Sequence, residues 1–148
     1  KSARDQKELE SIGERMFKSL DMACKSGHFE ACSATASGLL EGGGELKRQM
    51  LGLQALEVLC MNGDVDSCNK HGVNAKSFYE QVGKKRGNDP DFSLLGHRGA
   101  RSLAMACMVS LNATQPCNDW AQMLEDGIGV PVNKEEAARI RAFAAEKL

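Results

Sequence analysis

Apolar residues recur along most of this chain at helical rather than strand spacing. Leu9, Ile12, Met16, Phe17 and Leu20 fall on one stripe, the mark of a helix with one buried face. They predict a first helix over about 4–25. Further apolar runs, parted by glycines or polar breaks, predict helices over about 29–41, 46–61 and 65–81. A longer polar connection, "GKKRGND" at 83–89, follows. Pro90 then opens a helix to about 109, since proline is well placed in a first helical turn. Helices over about 116–126 and 134–147 bring the set to about seven. Asn133 suits the N-cap of the last one, with Glu136 three residues on in capping-box position.

The pattern also repeats. Cys24 and Cys60 are 36 residues apart, as are Cys32 and Cys68, and a third pair stands at Cys107 and Cys117. Leu20, Leu56 and Leu103 each precede the first cysteine of a pair by four residues, so Leu and Cys share a helical face. Ala36, Gly72 and Ala121 are equivalent small residues that would let helices approach closely. "LLEGGGE" at 39–45 matches "LEDGIGV" at 124–130, each placing glycines where a left-handed residue closes a helix. Antiparallel hairpins repeated in this way make an all-α fold, an α-solenoid. An irregular helical bundle is the alternative. The chain reads as one repeat domain, 1–148, with units at roughly 4–41, 46–82 and 90–126 and a C-terminal helix at 134–147.

Composition supports helices. Ala, Leu, Glu, Lys, Met and Gln dominate, and β-branched residues are few. A net charge of −1, from 19 basic and 20 acidic residues, argues against a generic binder of nucleic acid or anionic membrane. No run of eighteen apolar residues marks a transmembrane helix. Lys1 opens the chain with neither a methionine nor an apolar signal core, and a removed leader or anchor is the expectation.

The cysteines bear on compartment. Residues eight apart on one continuous helix lie about 12 Å apart along its axis, whereas a disulfide needs Cα atoms within about 7 Å. The pairs therefore bond only where the chain reverses between them. Gly27 and Gly63 stand at such reversals, and the third copy uses "SLNATQP" with Pro116 opening the next helix. The repeat favours local pairing: Cys24 with Cys32, Cys60 with Cys68, Cys107 with Cys117. Each short loop would contribute roughly 2–3 kcal/mol. Reduced, buried cysteines are one rival. A zinc site is another, disfavoured by the lack of any C-x2-C pair. Disulfides would place the protein in an oxidising compartment.

"MLEDGIGVPVNKEEAARIRAFAAE" resembles the Sel-like relatives of the tetratricopeptide repeat, whose unit runs A-x-x-L to G-x-G-V, a short loop and a K-A-A helix. "ACKSGHFEAC" is similar to the cysteine-rich bacterial branch of that family. The resemblance covers most of 16–147. It departs at "EGGGELK", which lacks the valine, and at "HGVNAKSFYEQVGKKRGNDP", which has lost the glycine motif. The resemblance implies hairpins closed by disulfides between cysteines eight apart, an exported protein and an interaction scaffold whose concave surface binds other proteins. It also implies two activities known in the branch: β-lactam binding or hydrolysis, and periplasmic immunity against secreted effectors, phospholipases among them.

Candidate chemistry is sparse. No G-x-S-x-G, H-E-x-x-H, P-loop or S-x-x-K occurs. The glycines at 42–44 lack the K-[ST] of a phosphate loop. His28 or His71 could pair with a nearby cysteine as base and nucleophile, but hairpin-surface histidines beside disulfides are the simpler reading; His97 is the third. Asn112-Ala-Thr114 fits a glycosylation sequon. No catalytic residue, metal or cofactor is expected. Candidate partner-binding residues are Phe78, Tyr79, Arg98, Arg101, Asp119 and Trp120, as aromatic or arginine anchors on helix faces. Core packing is the favoured competing role for Phe78, Phe92 and Trp120. The "KKR" at 84–86 reads as a solvated loop or a partner contact. The expected function is a non-enzymatic scaffold, a periplasmic immunity protein blocking a secreted toxic effector such as a phospholipase. Alternatives are a weak β-lactam-binding hydrolase and an envelope or intermembrane-space assembly factor.

Overall fold

A computed structural model of the chain describes residues 28–40, 46–83 and 90–147, with scattered positions between 5 and 26. Asp5, Glu8, Ser11, Arg15, Lys18 and Met22 are helical and exposed, the positions that an amphipathic helix leaves in water. The apolar stripe Leu9–Leu20, together with Cys24, Gly27, the glycines at 42–44 and "KKR" at 84–86, lies outside the described residues.

Six α-helices follow: α1 (Phe29–Leu40), α2 (Leu46–Met61), α3 (Val65–Phe78), α4 (Pro90–Val109), α5 (Gln115–Asp126) and α6 (Lys134–Ala145). Among the described residues there is no strand, and the fold is all-α. Local chemistry accounts for the boundaries. Gly63 has φ +98° and Gly127 φ +69°, a left-handed conformation that glycine adopts without a Cβ penalty. Gly127 closes α5, and the N–H of Ile128 donates back to the Met123 carbonyl at 2.9 Å. The Asn133 side chain accepts from the Glu136 N–H at 3.0 Å and so satisfies one of the unpaired donors that open α6.

One local feature departs from the plain helix expected to about 81. Tyr79–Gly83 winds as a π-helix. Phe78, 6 % exposed, ends the buried stripe of α3 just before this turn, and a Cβ on Gly129 would stand 3.4 Å from the Tyr79 ring. Side-chain periodicity does not encode such a turn, because tertiary packing selects it.

The chain divides into two compact units, Lys1–Asn62 and Gly63–Leu148. The division falls inside the second repeat expected at 46–82. In the first unit α1 and α2 pack antiparallel around Cys32, Ala36, Leu39, Ala55, Leu56 and Leu59. Gly52 makes this close: a Cβ there would stand 2.8 Å from the Leu40 side chain and 3.2 Å from the Ala36 carbonyl.

In the second unit α3 and α4 run antiparallel. Gly72 meets Leu103, and a Cβ on Gly99 would stand 2.8 Å from that of Ala75. Cys107 and Cys117 join the end of α4 to the start of α5 by a disulfide with Cα atoms 4.7 Å apart. Around it Ala121, Ala137, Ile140 and Ala144 form a core shared with α6. The equivalent small residues Ala36, Gly72 and Ala121 are all buried, as are Leu56 and Leu103 before their cysteines. Cys32, Cys60 and Cys68 are disulfide-bonded too, and no described cysteine is free. These bonds are compatible with an oxidising compartment. Among the described residues no helix is long and apolar enough to cross a membrane.

Candidate functional site

Helices α3 and α5 lie side by side and parallel, joined by a line of polar contacts at a constant offset. Asn69 Nδ2 donates to Gln115 Oε1 at 2.8 Å, and Gln115 Nε2 donates to Asp119 Oδ2. Further along, Lys76 Nζ donates to Gln122 Oε1 at 2.7 Å. The same ammonium stands 3.7 Å from Asp119 Oδ1 and 3.5 Å from Glu80 Oε1. The Lys76 side chain is only 13 % exposed. A charge so nearly withdrawn from water needs paired acceptors, and α5 and the π turn supply them. These contacts fix the distance between the two helix ends.

A groove of about 490 Å³ opens where that line stops. The π turn contributes Tyr79 and Glu80; the end of α5 contributes Gln122, Asp126, Gly127 and Ile128. Gly129, with φ +71°, brings its backbone against both the Tyr79 ring and Gly96 of α4. The aromatic wall is thus backed by main chain. Two carboxylates, Glu80 and Asp126, stand in the lining, and both residues are exposed.

The six partner-binding candidates separate in space. Tyr79 forms the groove wall and Asp119 belongs to the polar line beneath it. Phe78 is buried, so it offers no surface to a partner. Trp120 is half-buried and packs against both the disulfide core and the cluster of Ala100, Leu103 and Met123. The Phe92 side chain is outside the described residues. Arg98 and Arg101 are exposed on α4 and take no part in the groove lining. Lys76, Glu80, Gln122 and Asp126 were missed by motif search. The available signals were the i, i+4 spacing of Lys76 and Glu80 and the acidic residue before the helix-stopping Gly127.

His71 is not a surface residue. It is 2 % exposed, and its Nδ1 lies 2.6 Å from the Oγ of Ser102, itself 3 % exposed. Burial pushes the imidazole pKa down to about 4, helped by the positive charges of Arg101 and Arg98. The neutral ring is therefore the form that α3 and α4 enclose. Nearby Cys68 is disulfide-bonded and holds no thiolate for such a base to activate. His28 and His97 are exposed.

Elsewhere the second unit is tied together at its ends. Arg141 donates to both oxygens of Glu125, at 2.5 and 3.0 Å, linking α6 to α5. This hydrogen bonding holds the Glu125 carboxyl below its ordinary range. Lys147 Nζ donates to the carbonyls of Cys107, Ser110 and Ala113, and lies 5.1 Å from the centre of the Phe143 ring. It caps the C-terminal end of α4, where carbonyls lack helical partners. Among the described residues, no group of three or more His, Cys, Asp or Glu side chains is placed to hold a metal ion.

No protein-family model, no curated protein and no solved structure matches the chain.

Proposed function

We propose that this chain is a non-enzymatic protein-binding scaffold of an oxidising compartment. Its sharper form is a periplasmic immunity protein that binds a secreted toxic effector, of which a phospholipase is one kind, and blocks it. This reading takes the helical hairpins as units of a Sel-like array. The observation that carries it is the groove between the π turn and the end of α5, with an aromatic wall and a charged rim. It sits in a unit whose helices are held by a disulfide and by buried polar contacts. A rigid surface of this kind loses little conformational freedom on binding, which favours affinity. Inhibition would be steric, with the scaffold covering the effector's active site.

The test uses the oxidised, tagged chain as bait against secreted and envelope fractions. One partner should be retained at equal stoichiometry, and its activity should fall as one equivalent of the chain is added. Retention of no stoichiometric partner, or turnover of nitrocefin by the clean protein, would count against this reading.

A further inference from the structure

We propose that Asn62 is a self-modifying site: the Gly63 main-chain nitrogen attacks its side-chain amide, and aspartate and isoaspartate take its place. The inference needs no partner and is independent of the scaffold reading.

Asn62–Gly63 is the single Asn-Gly step in the sequence. The fold places that step where it is open to reaction. Helix α2 ends at Met61, and α3 begins at Val65. Asn62 and Gly63 lie exposed in the turn between them. The Asn62 N–H still donates to the Val58 and Leu59 carbonyls, at 3.1 and 3.2 Å, so the residue is tied to α2 through its own nitrogen. Beyond it the chain turns, with Gly63 at φ +98°. A Cβ on Gly63 would meet nothing within 4 Å. Neither a side chain of residue 63 nor a neighbour at that position therefore screens the Gly63 nitrogen. The Asn62 side chain has one restraint, a bond from Nδ2 to the Val58 carbonyl at 2.8 Å. That bond is exposed, and water competes for both its partners.

The reaction is intramolecular, which supplies the proximity it needs. Base removes the Gly63 amide proton, and the nitrogen attacks Asn62 Cγ. The new C–N bond closes a five-membered succinimide, the Cγ–Nδ2 bond breaks, and Nδ2 leaves with the returned proton as ammonia. Water then opens the ring. Addition at Cγ leaves aspartate, and addition at the main-chain carbonyl leaves isoaspartate. One water is consumed and one ammonia released, with no change of oxidation state.

The products alter the turn. A carboxylate cannot donate to the Val58 carbonyl, and its charge stands at the C-terminal end of α2, where the helix dipole disfavours an anion. Asp64 and Asp66 follow closely in sequence, so like charges gather. Isoaspartate also lengthens the main chain by one carbon, between the residues that end one compact unit and begin the next.

The experiment ages the oxidised full chain in neutral and in mildly alkaline buffer and maps its peptides by mass spectrometry. Asn112, exposed and followed by alanine, is the internal reference. Asn62 should convert first, mainly to isoaspartate that an isoaspartyl methyltransferase labels. Conversion should be faster at the higher pH, because the attacking nitrogen must lose its proton. N62Q would have to close a six-membered ring, so conversion at this position should slow at least about tenfold. Aged wild type should melt lower than N62Q aged beside it. An Asn62 that stays intact, equal rates at Asn62 and Asn112, aspartate formed without isoaspartate, or undiminished conversion in N62Q would overturn the inference.

Discussion

Gly96 of α4 and Gly129 of the loop after α5 meet backbone to backbone. A Cβ on Gly96 would fall on the Cα and carbonyl of Gly129. The obstacle is main chain, which cannot rotate aside as a side-chain tip can. Gly96→Ala should therefore cost roughly 3 kcal/mol, the upper part of the usual overpacking range. Because Gly129 also backs Tyr79, the NMR signals of that ring should move. Chemical denaturation and the tyrosine spectrum measure the two effects.

Gly38 in α1 predicts the opposite sign. A Cβ there would meet nothing within 4 Å, and the residue lies in a regular helix with no positive φ. Gly38→Ala should stabilise by about 0.5–1 kcal/mol through helix propensity alone. A lower denaturation midpoint in this variant would contradict the packing of α1 described above.

The Cys107–Cys117 disulfide closes a loop of sequence separation 10 around a fully buried pair. Replacing both cysteines by alanine should cost roughly 2–3 kcal/mol. Counting thiols in denaturant without reductant should find none at Cys32, Cys60, Cys68, Cys107 or Cys117. Six reactive thiols in the purified protein would remove the basis for an oxidising compartment.

His71 makes stability depend on pH in a defined window. Its pKa is about 4 in the folded chain against 6.5 for the free side chain. Between these values the unfolded state binds more protons, so stability rises with pH. The contribution is complete above pH 6.5, is lost as pH falls, and levels off below about pH 4. It amounts to about 3 kcal/mol in order of magnitude. His71→Gln should flatten the stability profile in this window, measured by urea unfolding at several pH values.

Lys147 donates to the Cys107 carbonyl in the last turn of α4 and to the Ser110 and Ala113 carbonyls just beyond it. Lys147→Met keeps the apolar stem while removing the ammonium. It should destabilise the second unit by about 1–2 kcal/mol. Amide exchange should rise at the last turn of α4, with α3 unaffected.

Much of the helical layout was legible residue by residue. Leu46–Met61 and Pro90–Val109 have the limits expected from their apolar spacing and from Pro90. Asn133 caps α6, and Gly127 stops α5. Leu56 with Cys60, and Leu103 with Cys107, are buried together as their spacing of four implies. All these properties depend on hydrogen bonds and side-chain directions within about one turn, and so they are written locally.

The groove was not legible in that way. Lys76 and Gln122 are 46 residues apart, and no motif joins them. Phe78 continues the buried stripe of α3, but its neighbour Tyr79 walls a groove only because Gln122, Gly127 and Ile128 are brought up to it. His71 sits beside a cysteine in sequence, yet its partner is Ser102 on the next helix. Local periodicity decided which segments became helices and which faces were apolar. Packing decided the rest, because burial, close backbone approach and the convergence of charges are properties of surfaces brought together across the fold.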